Sequence, residues 1–265
     1  MQDADHSSTG LALPPVRAVP PRRVLHWLAM GWRDFVRVPL ASGLHGMIVA
    51  AGGMLILLLG LRYWYLIPGA ISGFVLVGPI LATGLYELSR HLERGEQPGL
   101  DVAIAAWRRG TRPLVWLGLV SALAGTLWVL LSAILLALFV TAPITGLNSL
   151  LRHVVLSEGS NLFPIWMALG GFGAALLFAV TVVSAPLMLD RDIDFISAVW
   201  ASVRAVSESP VTMALWALVI AAATGLAMVT AMVGFVVMIP VIGHATWHAY
   251  RDVVDASALP PRADH

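Results

Sequence analysis

The sequence predicts an all-α fold, a polytopic membrane helical bundle of about six transmembrane helices in three hairpins, with interfacial amphipathic helices. Three observations predict it. Hydrophobic residues make up 58% of the 265-residue chain and charged residues only 12%, about half the charge of a soluble domain. Uncharged apolar runs recur along the chain, each near or above the ~20 residues a helix needs to cross a ~30 Å core. The 16 basic residues are all Arg, and they gather on one side of those runs. This composition excludes a soluble globular enzyme and a disordered chain. A net charge of +1 gives no electrostatic footprint for nucleic acid. The lack of Cys removes disulfides, thiolate metal sites and Cys nucleophiles together.

The elements follow in chain order. Residues 1–23 open with Asp3 and Asp5 and end in LPPVRAVPPRR. Proline fixes φ and removes donors, so a disordered cytoplasmic tail is expected, and the broken apolar stretch is no signal peptide. A lead-in helix comes next. Val24, Leu25, Leu28, Trp32, Phe35 and Val36 share one face, with His26, Arg33 and Arg37 on another. Such a helix lies in the interface with Arg against lipid phosphates. Span one, 43–61, is interrupted only by His45. The aromatic connection Arg62-Tyr63-Trp64-Tyr65 suits an interface and leads into span two, 66–86. Spans three and four, 114–139 and 162–189, carry no charge. Residues 211–250 are also uncharged; a straight helix of that length would reach about 60 Å, twice the core, so the chain must fold back. The turn is expected near 224–234, where Gly225 and Gly234 punctuate the run. An apolar turn also leaves open a hairpin that enters the membrane without crossing it. The membrane domain is thus 24–254, and 255–265 forms a second disordered cytoplasmic tail.

Fourteen of the 16 Arg precede span one or follow spans two, four and six, leaving only Arg62 and Arg152 on the other side. The positive-inside rule then places both termini in the cytoplasm. A threefold pattern accompanies this. Each hairpin is preceded by an aromatic-basic segment that stops at proline: Gly31-Trp32-Arg33…Pro39, Ala106-Trp107-Arg108…Pro113 and Val199-Trp200…Arg204…Pro210. Each second span carries a proline, at Pro79, Pro186 and Pro240. Trp32, Arg33, Arg37, Trp107, Arg108, Arg109 and Trp200 are the lipid-interface candidates. Gly69 and Gly73, extended by Gly78 and Ala82, form one small-residue line, and Gly170, Gly171, Gly173 and Ala174 another. These serve packing within the chain or a homodimer face.

Ionisable groups near the spans are the default functional candidates, and they are few: His45, Glu87, His244 and His248. His244 and His248 are four apart and share a helical face. With His45 or Glu87 approaching, they allow a metal or haem site, with His45, His244 and His248 as its candidate ligands. The plainer reading is interfacial histidines hydrogen-bonded to backbone or to Glu87, which also pairs locally with Arg90 and His91. No GxxxxGK[ST], HExxH, GxSxG or Rossmann glycine pattern occurs. A row of buried acids, as in a proton-coupled carrier, is missing. Scattered Ser and Thr are expected to bond back to their own helices. No catalytic residue and no cofactor is predicted.

Three segments carry a resemblance: GPILATGLYELSRHLERGEQP (78–98), GWRDF (31–35) and PVIGHATWHAYRD (240–252). Over about 31–254 the chain resembles an uncharacterised family of bacterial integral membrane proteins, domain of unknown function 2189. The resemblance implies a membrane protein of Gram-negative bacteria with no assigned activity or cofactor. It brings Tyr86, Glu87, His244, Trp247, His248 and Arg251 together as a candidate functional cluster at the cytoplasmic face. A label linking members to cytochrome oxidase subunit I does not suit this chain, which has too few spans and too few histidines near them. The expected function is therefore non-enzymatic: an accessory, scaffold or assembly protein whose partners are the lipid bilayer and another membrane protein complex. The alternatives are a small-solute permease or channel, suggested by the repeated hairpins, and a metal- or haem-binding membrane protein.

Overall fold

The computed structural model describes residues 13–62, 81–108, 112–141, 151–156 and 161–262. The helices are α1 (Arg23–Arg37), α2 (Pro39–Arg62), α3 (81–93), α4 (Leu100–Arg108), α5 (Arg112–Phe139), α6 (Leu162–Thr181), α7 (Ser184–Asp190), α8 (Phe195–Glu208), α9 (Pro210–Val229) and α10 (Phe235–Val253), with a short π-helical turn at Leu151–Val155. Among the described residues there is no strand, only two isolated bridges. The all-helical expectation is met. Four helices are long and apolar enough to cross a membrane: Pro39–Gly60, Arg112–Phe139, Leu162–Asp190 and Pro210–Val229. Span two, 66–86, falls mostly outside the described residues, and α10 turns polar in its second half, so the count of six is not reached among them.

Proline sets the joints. A residue before proline is pushed out of the α region, while proline itself suits the first turn of a helix. α1 therefore ends at Val38 (φ −131°, ψ 58°) and α2 begins at Pro39. Ser209 has nearly the same angles (φ −135°, ψ 57°) between α8 and Pro210. The N–H four residues on returns to each joint, from Ser42 to Val38 O at 3.0 Å and from Met213 to Ser209 O at 2.9 Å. Two of the three repeated lead-ins thus share one geometry. The middle joint, 109–111, lies outside the described residues.

Span four is interrupted near its proline. Pro186 lacks an N–H, and its ring crowds the carbonyl four residues back. The helix breaks at Val182–Val183 into α6 and α7, and the Val183 N–H turns to Ser202 Oγ on α8 at 3.1 Å. The last uncharged run folds back at 230–234, inside the expected interval. Ala231 and Met232 there take positive φ, 51° and 69°. Gly225 instead lies within α9.

The core is concentrated at the end of the bundle where the lead-in helices gather. Trp27, Trp216, Trp247, Tyr250, Leu187 and Leu189 are buried there, with Trp27 and Trp216 edge-to-face at 5.8 Å. Leu123, Leu127, Leu130 and Ile134 on α5 are exposed, as suits a helix whose solvent is lipid. α10 is the central element. A Cβ at Gly31 would stand 2.5 Å from Val241 O, and one at Gly46 2.5 Å from Val236 O, so α1 and α2 bring their backbones directly onto α10. Of the predicted small-residue lines, Gly170 receives the Trp128 ring, whereas Gly171 and Gly173 meet nothing within 4 Å. Gly69, Gly73 and Gly78 lie outside the described residues. Ser121 and Thr126 bond back to Leu117 O and Ala122 O at 2.8 and 2.9 Å, as expected.

The tails need correction. Where disorder was expected, residues 13–20 are bonded to distant elements before the turn at Pro21 and Arg22. Arg17 N–H donates to Val253 O at 2.8 Å, Asp255 N–H to Pro15 O at 2.9 Å, and Thr212 Oγ1 to Val19 O at 2.7 Å. Residues 255–262 are held too, with Asp192 N–H on Pro260 O at 3.1 Å and Arg191 on Leu259 O at 3.0 Å. A proline-rich segment makes no hydrogen bonds within itself. That leaves its carbonyls free to accept from neighbouring elements.

Candidate functional site

Five elements meet at the lead-in end, and each contributes a polar side chain that its own surroundings would leave buried. α1 turns Val24, Trp27, Gly31 and Asp34 inward, while Leu25, Trp32 and Val36 stay exposed. The apolar stripe read from the sequence is thus divided: Val24 is buried and Leu28 packs on the core, while Leu25, Trp32 and Val36 face outward, and the spacing of Trp27, Gly31 and Asp34 marks the inner face. α10 presents the whole run from His244 to Tyr250 to the interior.

Asp34 is the centre of the first network. Ser89 Oγ on α3 donates to Asp34 Oδ2 at 2.8 Å, and His248 Nε2 approaches the same oxygen at 2.7 Å. Ser89 has one hydroxyl proton, given to Asp34. Its contact with His244 Nδ1 at 2.7 Å therefore requires the proton on that nitrogen, and Nε2 accepts from Ser42 Oγ at 2.8 Å. Burial alone would raise the Asp34 pKa. The hydrogen bond and charge of His248, together with the Ser89 hydroxyl, outweigh it and hold the carboxyl below its ordinary value.

Asp190, at the end of α7, is the second centre. Tyr250 OH donates to its Oδ2 at 2.7 Å, Arg191 Nε stands at 3.1 Å, Arg90 Nε lies 3.5 Å from Oδ1, and Arg251 is 3.7 Å away. Arg90 also pairs with Glu87 at 3.2 Å, and His91 with Glu87 at 3.3 Å and with Glu96. Glu93 joins the two centres, 3.7 Å from His248 and 3.3 Å from Arg251. At the margin, Arg23 and Trp27 Nε1 both donate to Asp252, at 2.6 and 2.9 Å.

Of the predicted cluster, Glu87, His244, His248 and Arg251 fall within this arrangement. Tyr86 and Trp247 are buried apolar packing at its edge, with Trp247 edge-to-face on Tyr250 at 5.5 Å. The sequence reading missed Asp34, Ser42, Ser89 and Asp190. An acid three residues beyond a glycine on the inner face of a lead-in helix was the available signal for Asp34.

The metal reading is corrected. Among the described residues no three His, Cys, Asp or Glu side chains are placed to hold an ion. His244 engages serine hydroxyls with both nitrogens. His45 bonds Ala41 O through Nδ1 at 2.7 Å, and its ring lies edge-on to Trp107 at 4.9 Å. The three histidines point into separate contacts. Trp107 is also corrected as a lipid-facing anchor. It is half-buried against His45 and reaches Leu81 O at 3.4 Å, in space that Gly84 leaves open. Trp32 and Trp200 are exposed, as are Arg33, Arg37 and Arg108. Arg109 lies outside the described residues.

Residues 66–190 match the family model described as predicted integral membrane protein, DUF2189. The match covers 125 of the 265 residues. The match includes the 78–98 segment on which the resemblance chiefly rested. It stops short of GWRDF and PVIGHATWHAYRD, so the wider extent of 31–254 is not matched. Of the network, Ser89, Arg90, Glu87, Glu93 and Asp190 lie within the DUF2189 region, and Asp34, Ser42, His244 and His248 come from the flanking helices. No curated protein and no solved structure matches the chain.

Proposed function

We propose that this protein is a non-enzymatic accessory, scaffold or assembly protein of a membrane complex. We place it in a bacterial inner membrane, with six inserted segments in three hairpins and both termini cytoplasmic. The orientation rests on the Arg asymmetry. The function rests on one observation: the polar groups gathered around Asp34 bond to one another across four helices. Asp34, Ser89, His244, Ser42 and His248 form a closed set across α1, α2, α3 and α10, and such a set fixes the relative placement of helices. The Ser42–His244 pair resembles a nucleophile and base, but both are fully buried.

Affinity purification in mild detergent tests this reading. The expected result is a stoichiometric co-purifying membrane complex whose abundance falls when the gene is deleted. A chain that runs alone, with every membrane complex intact after deletion, would overturn it. The second reading, a small-solute permease or channel, is favoured by the proline-broken α6–α7 and by Pro240 within α10, since transporters use broken helices at their sites. Solute uptake by reconstituted vesicles would shift the balance to it.

A further inference from the structure

We propose that the α9–α10 hairpin is re-entrant: it enters the bilayer, turns within the hydrocarbon and leaves by the face it entered. This refines the last of the three hairpins and is independent of the accessory role.

Three rulers agree on the depth. The first is α2, which begins just after the exposed Arg37 and ends at Arg62. Ser42 is level with His244 through their 2.8 Å hydrogen bond. Gly53 is level with the turn, since a Cβ there would stand 3.3 Å from Met232 Sδ. At 1.5 Å per residue the turn lies about 16 Å beyond the Ser42 level and about 14 Å short of Arg62. The second ruler is α10, where Gly234 to His244 gives about 15 Å by the same rise. The third is α9. Its first turns lie outside the membrane part: Ser209 and Thr212 hold the Val19 backbone, and Trp216 packs on Trp27 of α1. From Trp216 to Val229 only about 20 Å remains. A hydrocarbon core is about 30 Å thick, so the hairpin stops roughly halfway to two-thirds across.

The tip is built for that position. Backbone in hydrocarbon must find partners within the protein. Each N–H from Thr230 through Met238 has one: Met232 bonds to Ala227 O, Val233 to Thr230 O, and Gly234 to the Thr230 hydroxyl, which itself donates to Ala227 O. Val229 and Val233 point outward, 85% and 65% exposed, and the exposed Thr230 turns its hydroxyl into the turn itself. A water-facing turn would carry polar residues there.

The chain has no Cys, so single cysteines report directly. Val233→Cys and Ala231→Cys would be treated with a membrane-impermeant maleimide in right-side-out and inside-out vesicles, beside Leu156→Cys and Ser257→Cys as markers of the two faces. The re-entrant hairpin gives at least tenfold less labelling at 231 and 233 than at either marker, from both sides, with full labelling after denaturation. Labelling of Val233→Cys from the Leu156 side at the Leu156 rate would overturn the proposal. Should a cysteine variant fail to fold, hydrogen exchange on the unmodified protein in nanodiscs decides. Protection of the 228–238 segment by more than a hundredfold supports a buried tip, and exchange at the rate of an unstructured peptide overturns it.

Discussion

At the scale of single residues, Asp34 has the largest consequences. It is 2% exposed and accepts from both Ser89 and His248. Removing one member of a buried, hydrogen-bonded charge pair costs about 3–5 kcal/mol, so Asp34→Ala is expected to destabilise by that order in a detergent unfolding titration. The pH dependence has a definite sign. The Asp34 pKa is lowered in the fold from an ordinary 3.8. Its contribution is therefore fully present above that value and is lost as pH falls below it through the folded pKa. Thermal unfolding followed from pH 7 to pH 3 should show a midpoint that drops only at the acid end, with a smaller acid drop in Asp34→Asn. The site was half legible in the sequence. His244, His248 and Glu87 stood out because ionisable residues are rare near spans. Ser42, Ser89 and Asp34 did not, because a serine or an acid in a polar lead-in looks like a solvated group until its partners, far along the chain, are seen.

At the scale of elements, the proline-bounded joints were legible because proline acts locally on the residue before it. The two joints at Val38 and Ser209 share one geometry for that reason. Pro186 marked span four as a candidate broken helix, but the place of the break was not legible, because it depends on what receives the freed N–H. Here that is Ser202, from a different helix. Ser202→Ala leaves the Val183 N–H buried without an acceptor, a cost of about 1–3 kcal/mol. The expected result is a lower unfolding midpoint, with faster hydrogen exchange at residues 181–184 than at the rest of α6. An unchanged exchange pattern would mean that the break holds without the serine.

At the scale of the whole molecule, the ends of the described chain are part of the packing rather than appendages. The N-terminal segment bonds to Val253, Asp255, Ser209 and Thr212. At about 0.5–1.5 kcal/mol for each of four hydrogen bonds, deletion of residues 1–20 should destabilise the protein by about 2–6 kcal/mol. Limited proteolysis of that deletion should open cleavage at Arg251. This was not legible because proline-rich composition describes what a segment cannot do alone, not what its neighbours offer it. The all-helical class was legible, since it follows from composition and from the long uncharged runs. The central place of α10 also sets an order of events in synthesis. Asp34 and Ser42 emerge early, and their partners His248 and His244 follow 214 and 202 residues later. At roughly 5–20 residues per second, the nascent chain waits on the order of ten to forty seconds with a buried-type carboxylate uncovered. α10 closes this network, and a chain truncated before it leaves Asp34 without His248 and Ser42 without His244.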